Sequence, residues 1–188
     1  ILDVKIDIDI QYELVALKPI REDGVYEDFC ATIRCIFGKI NATLRIDITT
    51  GDAITPKEMN YGYPRILEDG IIPIMSYTLE TILAEKFETI TSRNITTTRA
   101  KDFYDLYIIY SIYKKEIKDD ILCKAIERTC IQRRTENMMR SYESITKLLH
   151  GSRKMQKLWK KYTDANPYVK DIQFVDTLDV YDKIGQIF

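Results

Sequence analysis

Three groups of polar residues could do phosphate or metal chemistry, and each stands where its neighbours are apolar or where acids and bases crowd together. Asp47 lies near the end of Ala42-Thr43-Leu44-Arg45-Ile46-Asp47-Ile48. At a period of two, Ala42, Leu44, Ile46 and Ile48 share one face, and Thr43, Arg45 and Asp47 share the other. A carboxylate there, just before Thr49-Thr50-Gly51-Asp52, can hold a metal ion or polarise a hydroxyl, or it can simply cap the turn. Lys86 follows Leu83 by three residues, Ile82 by four and Leu79 by seven, so helical geometry sets it on the apolar face. An ammonium there must meet an anion, or else reach water along its own aliphatic stem. The third group is Arg99-Ala100-Lys101-Asp102-Phe103-Tyr104-Asp105-Leu106. Its two acids and two bases within seven residues can position a metal–phosphate group, or can form surface ion pairs at i,i+3 and i,i+4 spacing.

Other chemistries have less to stand on. Asp7-Ile8-Asp9 has the spacing of a two-metal carboxylate pair, but no glycine occurs before Gly24 to build the turn that receives a triphosphate. Asp7 and Asp9 therefore read as the exposed face of a strand through Val4, Ile6, Ile8 and Ile10. Cys30, Cys35, Cys123 and Cys130 form no CxxC pair, and His150 is the single histidine, which argues against zinc and against a Cys/His or Ser/His nucleophile. Cysteines this sparse suit reduced thiols and a cytoplasmic location.

These residues need strands first and helices afterwards. Strands are expected through 4–10, 31–37 and 42–48, then a loop from Thr55 to Pro73 with one short strand near 71–75. From Ser76 the period becomes helical, with Ser76 or Thr78 as cap. Amphipathic segments follow at about 99–115, 119–133, 136–149 and 152–162, and a terminal helix at about 178–188. The order predicts an α+β fold, a small mixed sheet leading into a helical bundle. The boundary is expected within 91–98, which gives residues 1–94 and 95–188 as the two domains.

The chain has 188 residues, 45% hydrophobic and 30% charged, with a net charge of −1. That suffices for a core, and no stretch approaches the roughly 18 apolar residues of a membrane span, so no membrane association is expected. The start, Ile1-Leu2-Asp3-Val4-Lys5, has neither the features of a signal peptide nor an initiator Met, which suits a piece of a longer polypeptide. Charge is uneven: residues 1–94 carry 10 basic and 16 acidic side chains, residues 95–188 carry 18 and 13. Between Lys124 and Lys161, 11 basic side chains face 3 acidic ones. This is the footprint of a phosphate-bearing partner or of a solvated helical surface.

Taken together, residues 44–52, 77–87 and 99–106 resemble the AbiEii/AbiGii toxin family of nucleotidyltransferases, in order and spacing over roughly residues 30–150. The resemblance implies a nucleotidyltransferase-like sheet, incomplete at its N-terminal side, followed by a helical domain. It implies that Asp47 helps to bind Mg²⁺ or acts as base toward the attacking hydroxyl, and that Lys86 contacts the NTP. Asp102 becomes the signature acid of the RxKDxxD helix, supported by Arg99, Lys101 and Asp105. It further implies a toxin of a bacterial toxin–antitoxin or phage-defence system. Such a toxin moves a nucleoside monophosphate from Mg-NTP to a tRNA, another RNA or a protein hydroxyl, with a cognate antitoxin as partner. The family's first motif, a Gly-Gly-Ser/Thr turn and DxD strand, is not in this sequence. The two readings that follow are a fragment of a longer enzyme and an inactive member that binds RNA or antitoxin. A metal nuclease using Asp47, Glu85 and Lys86 is a further alternative, although Glu85-Lys86 falls on a helix rather than a strand.

Overall fold

A computed structural model describes residues 10–20 and 28–188 of the chain. It divides into two compact units, Ile1–Asp52 and Ala53–Phe188. The division falls well before the expected 94/95 boundary, and the helix carrying Lys86 packs with the helices that follow it.

The first unit contains β1 (Ile10–Pro19), β2 (Phe29–Phe37) and β3 (Ile40–Ile48), paired antiparallel in the order β1-β2-β3. The expected strand at 4–10 lies, apart from Ile10, outside the described residues, and so do Asp7 and Asp9. β2 and β3 join through a two-residue turn whose first member, Gly38, takes φ 57°, as a II′ hairpin requires. In register, Leu44 and Leu14 flank Ile33, while Ile46 and Leu17 flank Ala31. Opposed residues project to the same side, so the alternation read from the sequence produces one apolar sheet face centred on buried Ala31 and Ile33. Val15 breaks the β1 register between Leu14 and Ala16, which restores Leu17 to that face. All described strand pairs are antiparallel, within the α+β class that the sequence predicts.

The second unit opens with a hairpin, β4 (Met59–Pro64) and β5 (Ile71–Ser76). β4 runs through what the sequence marks as loop. Gly62 and Pro64 are breakers in isolation, yet Gly62 pairs with Pro73, so neither partner has to accommodate a large side chain. Helices follow: α1 (Leu79–Arg93), α2 (Ala100–Tyr113), α3 (Asp119–Arg133), α4 (Glu136–Arg140), α5 (Tyr142–Gly151), α6 (Arg153–Ala165) and α7 (Phe174–Gly185). Thr78 caps α1 by accepting from the Thr81 amide at 3.3 Å, and its own hydroxyl donates to the Thr55 carbonyl at 2.8 Å. The expected 136–149 helix breaks at Ser141 into α4 and α5. The terminal helix begins at Phe174, where Gln173 and Asp176 form a capping box. α1 packs on α2 and α3, and α2 on α7. Leu83, Phe87, Phe103, Leu106, Leu122 and Ile126 are fully buried at that junction, each contributing roughly 1.5–3 kcal/mol by leaving water.

Candidate functional site

The Lys86 site is built by two helices crossing with complementary charges. α1 buries Leu83, Phe87 and Ile90, and this fixes the direction in which Lys86 leaves the same helix. α2 buries Phe103 and Leu106, which turns Asp102 and Asp105, one helical step apart, toward α1. The Lys86 ammonium lies 2.7 Å from Asp102 Oδ1 and 3.0 Å from Asp105 Oδ2. Exposure falls from 23% for the lysine side chain to 14% for Asp105 and 3% for Asp102.

Two further cations complete the group. Arg99 Nε is 3.1 Å from Asp102 Oδ2, and Lys101 Nζ is 2.8 Å from Asp105 Oδ2. The result is an alternating chain, Arg99–Asp102–Lys86–Asp105–Lys101, with one formal positive charge in excess. Burial works against the Lys86 charge, but hydrogen bonds and attraction from Asp102 and then Asp105 outweigh it and raise the pKa above its ordinary 10.5. Lys86 is therefore charged at every physiological pH. An ammonium has three protons, and the two carboxylates engage two of them. The structure thus resolves the alternatives at this position in favour of pairing, and the lysine side chain keeps 23% exposure.

Asp47 belongs to the other unit. On β3 it stands opposite Cys30 of β2, on the polar side of the sheet and exposed. The Cys30 thiol donates to this carboxylate, which raises the thiol pKa, with burial and the Asp47 charge adding to the shift. The following turn is closed by the Thr49 hydroxyl donating to Asp52 at 3.0 Å, so Asp52 rather than Asp47 makes the turn contact.

Sequence reasoning did not single out Glu80 and Glu88, two carboxylates buried on α1. Glu80 Oε1 accepts from the Lys118 amide at the start of α3 (3.0 Å), and Glu88 Oε2 meets Arg133 at its end (2.7 Å). Their spacing of eight, two helical turns and a little more, is the signal that was available for a shared inward face. Glu85 reaches toward Arg133 at 3.8 Å while Lys86 turns to α2. These adjacent residues therefore serve different helices, which removes the pairing that a nuclease would use.

The second unit thus carries a charged lysine on one helix answered by an RxKDxxD segment on the next, and the first unit, taken by itself, carries a carboxylate near a strand end. Over residues 4–180 the chain matches the family model described as the nucleotidyl transferase AbiEii toxin of the type IV toxin–antitoxin system, and it belongs to that family. Comparison with curated proteins and with solved structures gave no match. No helix among the described residues is long and apolar enough to cross a membrane.

Among the described residues no three His, Cys, Asp or Glu side chains are grouped to hold a metal ion. Asp102 and Asp105 are taken up by cations, which leaves Asp47 as an exposed carboxylate of the kind Mg²⁺ accepts beside phosphate oxygens and water.

Proposed function

We propose that the chain acts as a toxin that transfers a nucleoside monophosphate from an NTP to a hydroxyl of RNA, tRNA in particular, or of protein. The observation that carries this reading is the Lys86 ammonium, a charged donor held between Asp102 and Asp105 and still 23% exposed. A triphosphate oxygen is a suitable acceptor for that donor. Arg99 and Lys101, more exposed than Lys86, add positive charge at the rim. Asp102 and Asp105 act as positioning residues, because they orient an ammonium that would otherwise rotate freely. Bound Mg²⁺ would neutralise phosphate charge, with Asp47 as its protein anchor. The acceptor oxygen attacks the α-phosphorus, the bond to pyrophosphate breaks, and the hydroxyl proton passes to a base, a part that Asp47 can also take. Positioning and charge neutralisation supply most of the catalysis in such a displacement. An antitoxin encoded with the toxin and a cytoplasmic location accompany this reading.

The test is label transfer from each α-³²P-NTP to total tRNA, with Lys86→Ala and Asp47→Ala alongside. Loss of labelling by about 100-fold or more in each variant is expected, in the range of a lost charge-stabilising donor. Labelling equal to the unaltered protein in both variants overturns the assignment.

A second reading, a family member that binds RNA or antitoxin without catalysis, is favoured by the same ion pairs, because Lys86 is already neutralised within the protein. RNA retained by the protein without any label incorporated, whatever the NTP, would establish it.

A further inference from the structure

The sheet of the first unit ends on β3, and among the described residues no strand pairs with the outer edge of that strand. Every residue of Ile40–Ile48 is exposed, and the strand contains no Gly, Pro or Lys. Its register on β2 runs unbroken from Ile40 to Ile48. The opposite edge is different. β1 is bulged at Val15 and ends on Pro19, devices that discourage further pairing. β3 carries none of them, so it is an edge open to another strand.

The two-residue turn settles which backbone groups face that edge. Phe37 and Ile40, which close the turn, form a hydrogen-bonded pair, and so does every second pair after them. The even-numbered residues of β3 therefore spend their N–H and C=O on β2, while Asn41, Thr43, Arg45 and Asp47 point theirs outward. The side chains of these four lie on the polar side of the sheet with Glu13 and Arg34, an opposed pair on β1 and β2 joined at 2.8 Å. Arg45 and Asp47 have no ion-pair partner among the described residues.

A second copy of this strand is complementary to it at one register. Set antiparallel about a two-fold axis through Ile46, Arg45 stands opposite Asp47 of the second copy, and Asp47 stands opposite its Arg45. Leu44 then faces Ile48, and Ile46 faces its own copy, so the apolar side continues across the junction. The outward-pointing residues oppose one another, so their free N–H and C=O groups exchange hydrogen bonds. Sliding the strands by two residues in either direction puts Arg45 opposite Arg45 or Asp47 opposite Asp47, and like charges directly opposed destabilise a strand pair.

We propose that β3 pairs antiparallel with β3 of a second copy of this chain, joining two first-unit sheets through reciprocal Arg45–Asp47 contacts. Charge complementarity fixes both the partner and the register. The overlap is short, which suits a reversible dimer rather than an obligate one. In the pair the Asp47 carboxylate faces a guanidinium, so the dimer withholds the group that the transfer reading gives to Mg²⁺. The association itself does not rest on that reading.

The experiment is sedimentation velocity of the full chain over a concentration series, with Arg45→Asp, Asp47→Arg and the double variant Arg45→Asp/Asp47→Arg in parallel. A dimer that each single reversal weakens about 10-fold or more, and that the double variant regains, is expected. In Ile46→Cys the two thiols flank the axis with Cα atoms about 4.5 Å apart, within disulfide range, so mild oxidation should link the copies. Leu44→Cys, about 13 Å along the strand from its own copy, should link no more than the parent, whose native cysteines set the baseline. Amide exchange at Arg45 and Asp47 should slow as the dimer forms. Circular dichroism confirms that each variant is folded. A monomer at every concentration, a dimer that ignores both single reversals, a double variant no better than the singles, or equal linking by Leu44→Cys overturns the proposal. Amides of Arg45 and Asp47 already protected in the monomer would show the edge occupied by another strand of the same chain, and overturn it likewise.

Discussion

The Lys86 ammonium and the Asp102 carboxylate, sixteen residues apart in sequence, meet at 2.7 Å across the α1–α2 contact. Asp102 is among the most buried acids described, so the pair ties the two helices together as well as aiming the lysine. Replacing Lys86 by Met leaves that acid with Arg99 alone. The expected loss is about 2–3 kcal/mol, below the full figure for a buried pair because Lys86 retains some exposure. Urea unfolding of Lys86→Met, Asp102→Leu and the double variant measures it. The double variant should be less destabilised than the two single ones summed.

Arg133→Ala strands Glu88, whose carboxylate it meets at 2.7 Å in a nearly closed environment. We expect a loss of about 3 kcal/mol, as for other broken buried pairs. Glu88→Leu/Arg133→Leu should recover much of it, read as the midpoint of urea denaturation. A single variant as stable as the parent would show that the Glu88–Arg133 pair adds nothing to the α1–α3 contact.

Gly185 on α7 faces the ring of Tyr142, and a Cβ there would overlap the ring atoms. Gly185→Ala should therefore destabilise by about 1–3 kcal/mol despite the better helix propensity of alanine. Thermal unfolding tests it, and a stabilised Gly185→Ala would refute the close approach.

Tyr181 is fully buried and its hydroxyl lies 2.8 Å from Thr91 Oγ1, which itself donates to the Phe87 carbonyl. The tyrosine must then be the donor between the two. Tyr181→Phe removes that bond while Thr91 stays satisfied, so the loss should be near 1 kcal/mol rather than the larger penalty of an orphaned polar group. A calorimetric comparison of the two proteins decides.

Alkaline pH should unfold the protein progressively. Burial, and then the Glu88 charge, push the Cys130 thiol from an ordinary 9.0 up to about 11. Between these values the unfolded chain releases the thiol proton and the folded chain keeps it, so stability falls as pH rises from 9 to 11. Lys86 acts in the same sense: its contribution is complete below 10.5 and is lost as pH rises through its raised folded value. Chemical denaturation at pH 8, 9, 10 and 11 should show a declining midpoint. Cys130 should resist alkylation at pH 8 until denaturant is added.

What was legible in the sequence was legible because of periodicity. Lys86 could be placed on an inward face because Leu79, Ile82 and Leu83 fix the helical phase, and the same phase should have exposed Glu80 and Glu88. β3 was equally plain, since alternation over seven residues leaves one choice of faces. β4 escaped because a glycine and a proline outweighed Tyr61 and Tyr63 locally, while pairing across the hairpin decided the outcome. The break at Ser141 was hidden for a related reason: apolar spacing continues across it. Only the tertiary arrangement shows that Lys86 finds its anions on α2. Nothing in the spacing of residues 79–93 names a partner sixteen residues away.

Helix α7 contributes Leu178, Tyr181 and Ile184 to the interior, and its Tyr181 ring lies 4.8 Å from Phe87 of α1. The first helix of this unit therefore has its covering completed by a helix far along the chain. During synthesis α1 can pack on α2 and α3 as these emerge, but the Phe87 ring gains its Tyr181 neighbour only after α7 has followed them. A messenger cut short before α7 would yield a chain unable to shut the interior that Leu178, Tyr181 and Ile184 fill, and a cell translating such fragments would be spared whatever chemistry the folded unit performs.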